Sequence, residues 1–114
     1  MKDYPQHYQE LQQRMGQLGK ELPEAMKSFM GLHQCATREG DISCKFKELI
    51  ALGIAVTVRC DGCIAFHVHD ALEAGASRAE IAETLGVAVL MGGGPAVVYA
   101  CEALEALEQF EKQR

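Results

Sequence analysis

The sequence predicts an all-α fold of six helices in one domain spanning residues 1–114, and three observations point there. Apolar residues recur at spacings of three and four, Gly and Pro break the chain at intervals suited to helix ends, and no alternating run is paired with a hairpin signal. Composition agrees: 48% of residues are apolar but only 6% are aromatic and Trp is absent, so Ala, Leu, Val, Ile and Met must build the core. A chain of 114 residues has room for one core of useful size.

The first helix is expected from Tyr4 to Leu18, an amphipathic arm within residues 1–22 carrying Tyr8, Leu11, Met15 and Leu18, with Gly16 and Gly19 weakening its end. Pro23 suits the first turn of the second helix, where Met26, Phe29, Met30 and His33 follow at helical spacing until Gly40. Asp41 and Ser43 are candidate caps for the third, Cys44 to Val58. Its Ile54, Val56, Thr57 and Val58 are β-branched, yet nothing alternates with them, and helix is favoured over strand. The fourth helix runs from Asp61 to Ala74 and stops at Gly75. Ser77 and Glu80 form a capping box for the fifth, Arg78 to Met91. After Gly92-Gly93-Gly94, Pro95 opens the sixth, through Phe110. Those glycines lack the following Lys-Ser/Thr of a phosphate cradle, and Pro95 removes a donor, so they read as a tight interhelical turn.

Beyond Glu48 the third helix is apolar almost all round, and a small domain has few helices with which to surround it. Self-association is the expected remedy. A formal charge of −5 repels phosphate backbones, which argues against nucleic-acid binding. The longest apolar stretch, Leu49 to Val58, is half of the ~20 residues a membrane helix needs, and the polar opening of the chain does not read as a secretory signal. A cytoplasmic protein is expected. Five Cys without a secretory signal argue for core, metal or redox thiols over a disulfide framework.

Chemistry concentrates in Glu48 and the stretch Cys60-Asp61-Gly62-Cys63-Ile64-Ala65-Phe66-His67-Val68-His69. At about 100° per residue, Cys63 lies about 300° and His67 about 700° beyond Cys60, so the three share roughly 60° of arc. His69 falls on the opposite side of that turn. A Cys-x-x-Cys at a helix start meets unpaired N–H groups and the positive end of the dipole, both of which favour a thiolate. A thiol of pKa about 8.5 is only ~3% ionised at pH 7, whereas one near 6 is ~90% ionised. Cys63 is placed to exchange a proton with His67, and Cys60 to close a disulfide.

Plainer readings stand beside these. The two cysteines could be packed thiols, or Cys60, Cys63, His67 and Glu48 could hold zinc, although no second ligand pair of the usual structural signature exists. In a dry setting Glu48 could take up and return protons, but by periodicity alone it reads as a solvated first-turn Glu. Cys35, Cys44 and Cys101 read as small packed residues, with a lesser option of a second resolving thiol among them. His7, His33 and His69 read as solvated or locally bonded, and Glu102, Glu105, Glu108 and Glu111 as an exposed helix face.

The pattern Glu48-x(11)-Cys60-x-x-Cys63-x(3)-His67, followed by Gly92-Gly93-Gly94-Pro95-Ala96, resembles the carboxymuconolactone decarboxylase superfamily, specifically its AhpD-like alkylhydroperoxidase branch. The resemblance covers Cys44 to Phe110. It implies an all-helical fold assembled as a homotrimer or homohexamer. It also implies a peroxidase in which Cys63 attacks peroxide, Cys60 resolves the product, and Glu48 with His67 relays protons. The reductant implied is a lipoyl-bearing or thioredoxin-like dithiol protein, and neither a cofactor nor a resident metal is expected. The prototype peroxidases carry His immediately before the second Cys, where this chain has Gly62. That departure keeps general thiol–disulfide exchange open beside peroxidase turnover, with a metal-binding or non-catalytic assembly protein as further rivals.

Overall fold

The computed structural model describes residues 1–114 and contains six helices and no strand. They are α1 (Tyr4–Glu21), α2 (Pro23–Thr37), α3 (Cys44–Thr57), α4 (Asp61–Glu73), α5 (Arg78–Gly92) and α6 (Gly94–Glu111). The α3 helix packs most extensively on α4 and α5, α6 closes the bundle against α4 and α5, and α1 lies across α4 and α6. Leu52, Val56, Ile64, Val68, Ile81 and Leu107 form the fully buried centre.

Local chemistry sets the boundaries. Asp3 caps α1 by accepting from the Gln6 N–H, and Ser43 rather than Asp41 caps α3 by accepting from Phe46. The capping box of α5 is reciprocal, with the Glu80 N–H donating to Ser77 Oγ at 3.0 Å and the Ser77 N–H to Glu80 Oε1 at 2.9 Å. Lys45 of α3 reaches the same Glu80 at 2.8 Å, and this bond holds the Glu80 carboxyl below its ordinary range.

Three expectations need correction. Gly16 and Gly19 do not end α1, which continues to Glu21. A helical glycine costs about 1 kcal/mol relative to Ala, too little to stop a helix flanked by good formers. In α2 no residue is fully buried, so Phe29 and Met30 of its expected apolar face lie exposed while Met26 and His33 are half-buried. The acidic run of α6 is not a free face either. Glu102 accepts a hydrogen bond from the Tyr4 hydroxyl at 2.8 Å, Glu105 accepts one from Gln109, and Glu108 and Glu111 pair with Arg78 at 3.1 and 2.6 Å.

Tyr4 explains the docking of α1. Its ring is fully buried and its backbone N–H donates to Gln109 Oε1 at 2.7 Å. Burial, with Glu102 beside it, pushes the phenol up. One helical turn on, Tyr8 lies tilted against Phe66 and edge-on to Phe110.

The α5–α6 turn requires its glycines. Gly93 has φ +68° and ψ −149°, a conformation nearly closed to other residues. A Cβ on Gly92 would lie 2.6 Å from the Ala96 Cβ and 3.2 Å from Thr57 Cγ2. Gly92→Ala therefore overpacks the contact between α3 and the start of α6, and is expected to cost about 1–3 kcal/mol of stability, read as a lowered urea midpoint. An unchanged midpoint would contradict this account of the turn.

Candidate functional site

The site begins where α3 stops. The Cys60 N–H donates to the Ala55 carbonyl at 3.1 Å and the Arg59 N–H to Val56 at 3.3 Å, the paired bonds of a Schellman ending. Arg59 supplies the left-handed residue, with φ 60°, a place usually taken by Gly. Nothing in the sequence marks it. The companion ending at α4 uses Gly75 with φ +93°, as expected.

This turn delivers Cys60 to the N-cap of α4, where its sulfur accepts from the Cys63 N–H at 3.1 Å. Sulfur does there what a Ser or Asp oxygen does at most N-caps. Cys60 and Cys63 are joined as a disulfide with Cα atoms 5.2 Å apart, well inside the range such a bond spans. Both residues are half-buried.

His67 stands one turn beyond Cys63 on the same face of α4. Its Nδ1 lies 3.0 Å from Glu48 Oε1 on α3, and Glu48 is only 3% exposed. The solvated first-turn reading of Glu48 is thereby overturned. With the carboxylate ionised, Nδ1–H donates to Glu48 and Nε2 carries the lone pair. The structure thus brings Glu48 of α3 against His67 of α4, the helix that bears Cys60 and Cys63. The α4 start also carries an ion pair between Asp61 and Lys2, whose hydrogen bond holds the Asp61 carboxyl below its ordinary range.

Among the histidines His69 is locally bonded as expected, whereas the remaining cysteines depart from their plain reading. His69 does lean on its neighbour, Asp70, at 2.9 Å, and also stacks on Tyr8 with ring centroids 4.2 Å apart. His7 is half-buried against α4 with an Nε2 that makes no hydrogen bond, and His33 is half-buried facing Glu48 and Asp70. Cys35 and Cys101 are exposed and Cys44 is half-buried, so they do not pack as core residues. All three lie outside the apolar cluster at the centre of the bundle.

Gly62 has a structural reason. A Cβ there would sit 2.9 Å from Leu11 Cδ1 and 3.8 Å from His7 Nε2, so the Leu11 side chain of α1 lies over this position and would have to shift to admit a larger residue. The arm that covers the cysteine turn and the missing side chain are one feature.

The sequence profile of the carboxymuconolactone decarboxylase family matches residues 23–106. The chain belongs to that family. A carboxymuconolactone decarboxylase family protein from Legionella pneumophila, solved in its apo form, is similar at 45% identity and a TM-score of 0.91, over 94% of this chain and 96% of that one. A family protein from Thermotoga maritima, described as a candidate for a role in antioxidative response, is similar at 32% identity and a TM-score of 0.73, over 78% of this chain and 92% of that one. An uncharacterized protein of Cupriavidus necator shares 42% identity over 95 residues, 83% of this chain and 84% of its own length. The all-α carboxymuconolactone decarboxylase fold agrees with the expectation from sequence, and a bonded Cys60–Cys63 pair is compatible with the AhpD-like branch.

Of the five cysteines of this family member, two are bonded and three are free. Denatured oxidised protein should therefore titrate three thiols with Ellman's reagent and five after reduction, and mass mapping should place the difference on Cys60 and Cys63. Five thiols before reduction would contradict the assignment.

Proposed function

We propose that this chain is a thiol-dependent peroxidase that reduces hydroperoxides through a dithiol–disulfide cycle of Cys60 and Cys63. The observation that carries the reading is the buried Glu48 carboxylate bonded to His67 at 3.0 Å, on the helix whose first turn holds the cysteine pair. An imidazole oriented by a carboxylate, one turn from a thiol at a helix N-terminus, is the arrangement a proton-coupled thiolate reaction needs.

In the first step the Cys63 thiolate attacks the distal oxygen of the peroxide. An S–O bond forms and the O–O bond breaks, leaving a Cys63 sulfenic acid and an alkoxide, which takes from His67 Nε2 the proton that the Cys63 thiol gave up there, while the Glu48 carboxylate holds the imidazolium through Nδ1–H. In the second step Cys60 attacks the sulfenic sulfur and water leaves. The disulfide is then reduced by two electrons from an external dithiol protein, lipoyl-bearing or thioredoxin-like. The protein itself supplies every other group, and the cycle calls for no cofactor. The exposed free thiols of Cys35 and Cys101 suit a reducing compartment, which favours the cytoplasm. No helix is long and apolar enough to cross a membrane, and the acidic surface does not suit nucleic acid.

The working form is a homo-oligomer, trimer or hexamer. Supporting this, α3 buries Leu49, Leu52, Ala55 and Val56 but presents Phe46, Ile50, Ile54 and Val58 outward at four-residue steps. Val87, Leu90 and Met91 of α5 extend that apolar face. A continuous patch of this kind is uncommon on a monomer and is the surface a second copy would cover.

A second reading, general thiol–disulfide exchange, is favoured by one feature: at position 62 the chain carries Gly beneath Leu11 where the prototype peroxidases carry His.

Cys63→Ser should abolish consumption of cumene hydroperoxide, Cys60→Ser should leave a sulfenic acid trapped by dimedone, and Glu48→Gln should slow turnover about a hundredfold with the fold intact. Turnover retained in Cys63→Ser overturns the peroxidase assignment, and disulfide exchange without peroxide consumption in the wild type selects the second reading. By analytical ultracentrifugation the wild type should sediment as an oligomer and Ile54→Glu as a smaller species; a monomeric wild type overturns the assembly proposal.

A further inference from the structure

Beside the relay, and sharing Glu48 with it, lies a second grouping whose His33 and Asp70 the thiol cycle does not use. One ring nitrogen of His33 on α2, one carboxylate oxygen of Glu48 on α3 and one of Asp70 on α4 all lie within 4.8 Å of one another. Three helices distant in sequence converge there, with Glu48 buried and the other two half-buried.

We propose that His33, Glu48 and Asp70 bind a first-row divalent cation of the zinc class. The first argument is charge. Two carboxylates this close repel unless a proton or a cation lies between them. Neither is paired with Lys or Arg: the only ion-pair partner of Glu48 is His67 and that of Asp70 is His69. No Lys or Arg side chain therefore offsets the two carboxylates, and a cation held between them would. The second argument is unused ligand capacity. Among the side-chain hydrogen bonds of the protein none involves the His33 ring, and Glu48 makes one, through Oε1. The third is donor chemistry. One imidazole and two carboxylates form an N/O set for a borderline-hard ion, with a fourth position left for water. Zinc bonds of about 2.0–2.2 Å put tetrahedral ligand atoms about 3.4 Å apart, so each donor moves inward by less than about 1 Å.

This donor set differs from the thiolate one that the sequence allowed, Cys60 and Cys63 with His67 and Glu48, because those sulfurs are bonded to each other. Cation binding also has a consequence that rests on the proposed peroxidase reading. Glu48 serves both groups, so a bound cation competes with His67 for the carboxylate and slows the thiol cycle.

The test uses the full-length protein, stripped of metal with EDTA and titrated with cobalt(II) chloride and, by equilibrium dialysis, with zinc chloride. One equivalent per chain is expected, with visible cobalt d–d bands and no thiolate-to-cobalt charge-transfer band, in the oxidised protein and in a Cys60→Ser/Cys63→Ser variant alike. His33→Ala and Asp70→Asn should each weaken zinc binding at least about tenfold while circular dichroism stays unchanged. The isosteric Asp70→Asn keeps the test meaningful if His33→Ala disturbs α2. Absence of binding at micromolar metal, wild-type affinity in either ligand variant, or a charge-transfer band lost with the cysteines overturns the proposal. Peroxidase activity is measured separately: metal binding in a wild type that consumes no peroxide removes the peroxidase reading and leaves the cation site standing.

Discussion

The geometry of the site depends on one reversal of direction between α3 and α4. Arg59 adopts a left-handed conformation at a cost on the order of 1 kcal/mol, and in return the last carbonyls of α3 are satisfied while the next residue becomes the cap of α4. Because the turn is so short, α3 and α4 pack along each other, and Glu48, near the start of one, comes level with His67, well into the other. A longer connection would release both constraints together. The sulfur pair, the imidazole and the acid are therefore held by a single backbone decision.

Burial then gives that arrangement its chemical character. Glu48 is only 3% exposed, and His67 is its one ion-pair partner. A buried carboxylate with one hydrogen bond would be costly in a purely structural setting, and such groups concentrate where proton transfer or cation binding repays them. The α1 arm adds a cover over the cysteine turn, anchored by Tyr4 and Tyr8 and resting through Leu11 on Gly62. Access to the cysteines is thus shaped by a segment far from them in sequence.

The apolar character of α3 has two outlets. Half of the helix is spent on the core of the chain, and the other half faces outward beside an equally apolar stretch of α5. The site lies on the inward half and the bare stripe on the outward half.

Much of this was legible in the sequence because it is written in local chemistry. Ser77 with Glu80, Gly75, Pro23 and Pro95 fix helix ends through bonds and dihedral limits that reach only a few residues, and the spacing of Cys60, Cys63 and His67 follows from the pitch of one helix. What the sequence alone left open required contacts between helices. Whether Glu48 was solvated or dry depended on how α4 lies against α3. The acidic run of α6 was misread because Tyr4 and Arg78, its partners, come from other helices. Cys35 and Cys101 were misread for a related reason, since periodicity shows which residues share a face but not whether anything covers it. His33 joined Glu48 and Asp70 only once α2 had folded back beside α3, a juxtaposition with no trace in spacing. Interactions within a turn or two are set by the order of residues, whereas the burial and partners of a charged group are set by the packing of distant segments, which only the tertiary structure decides.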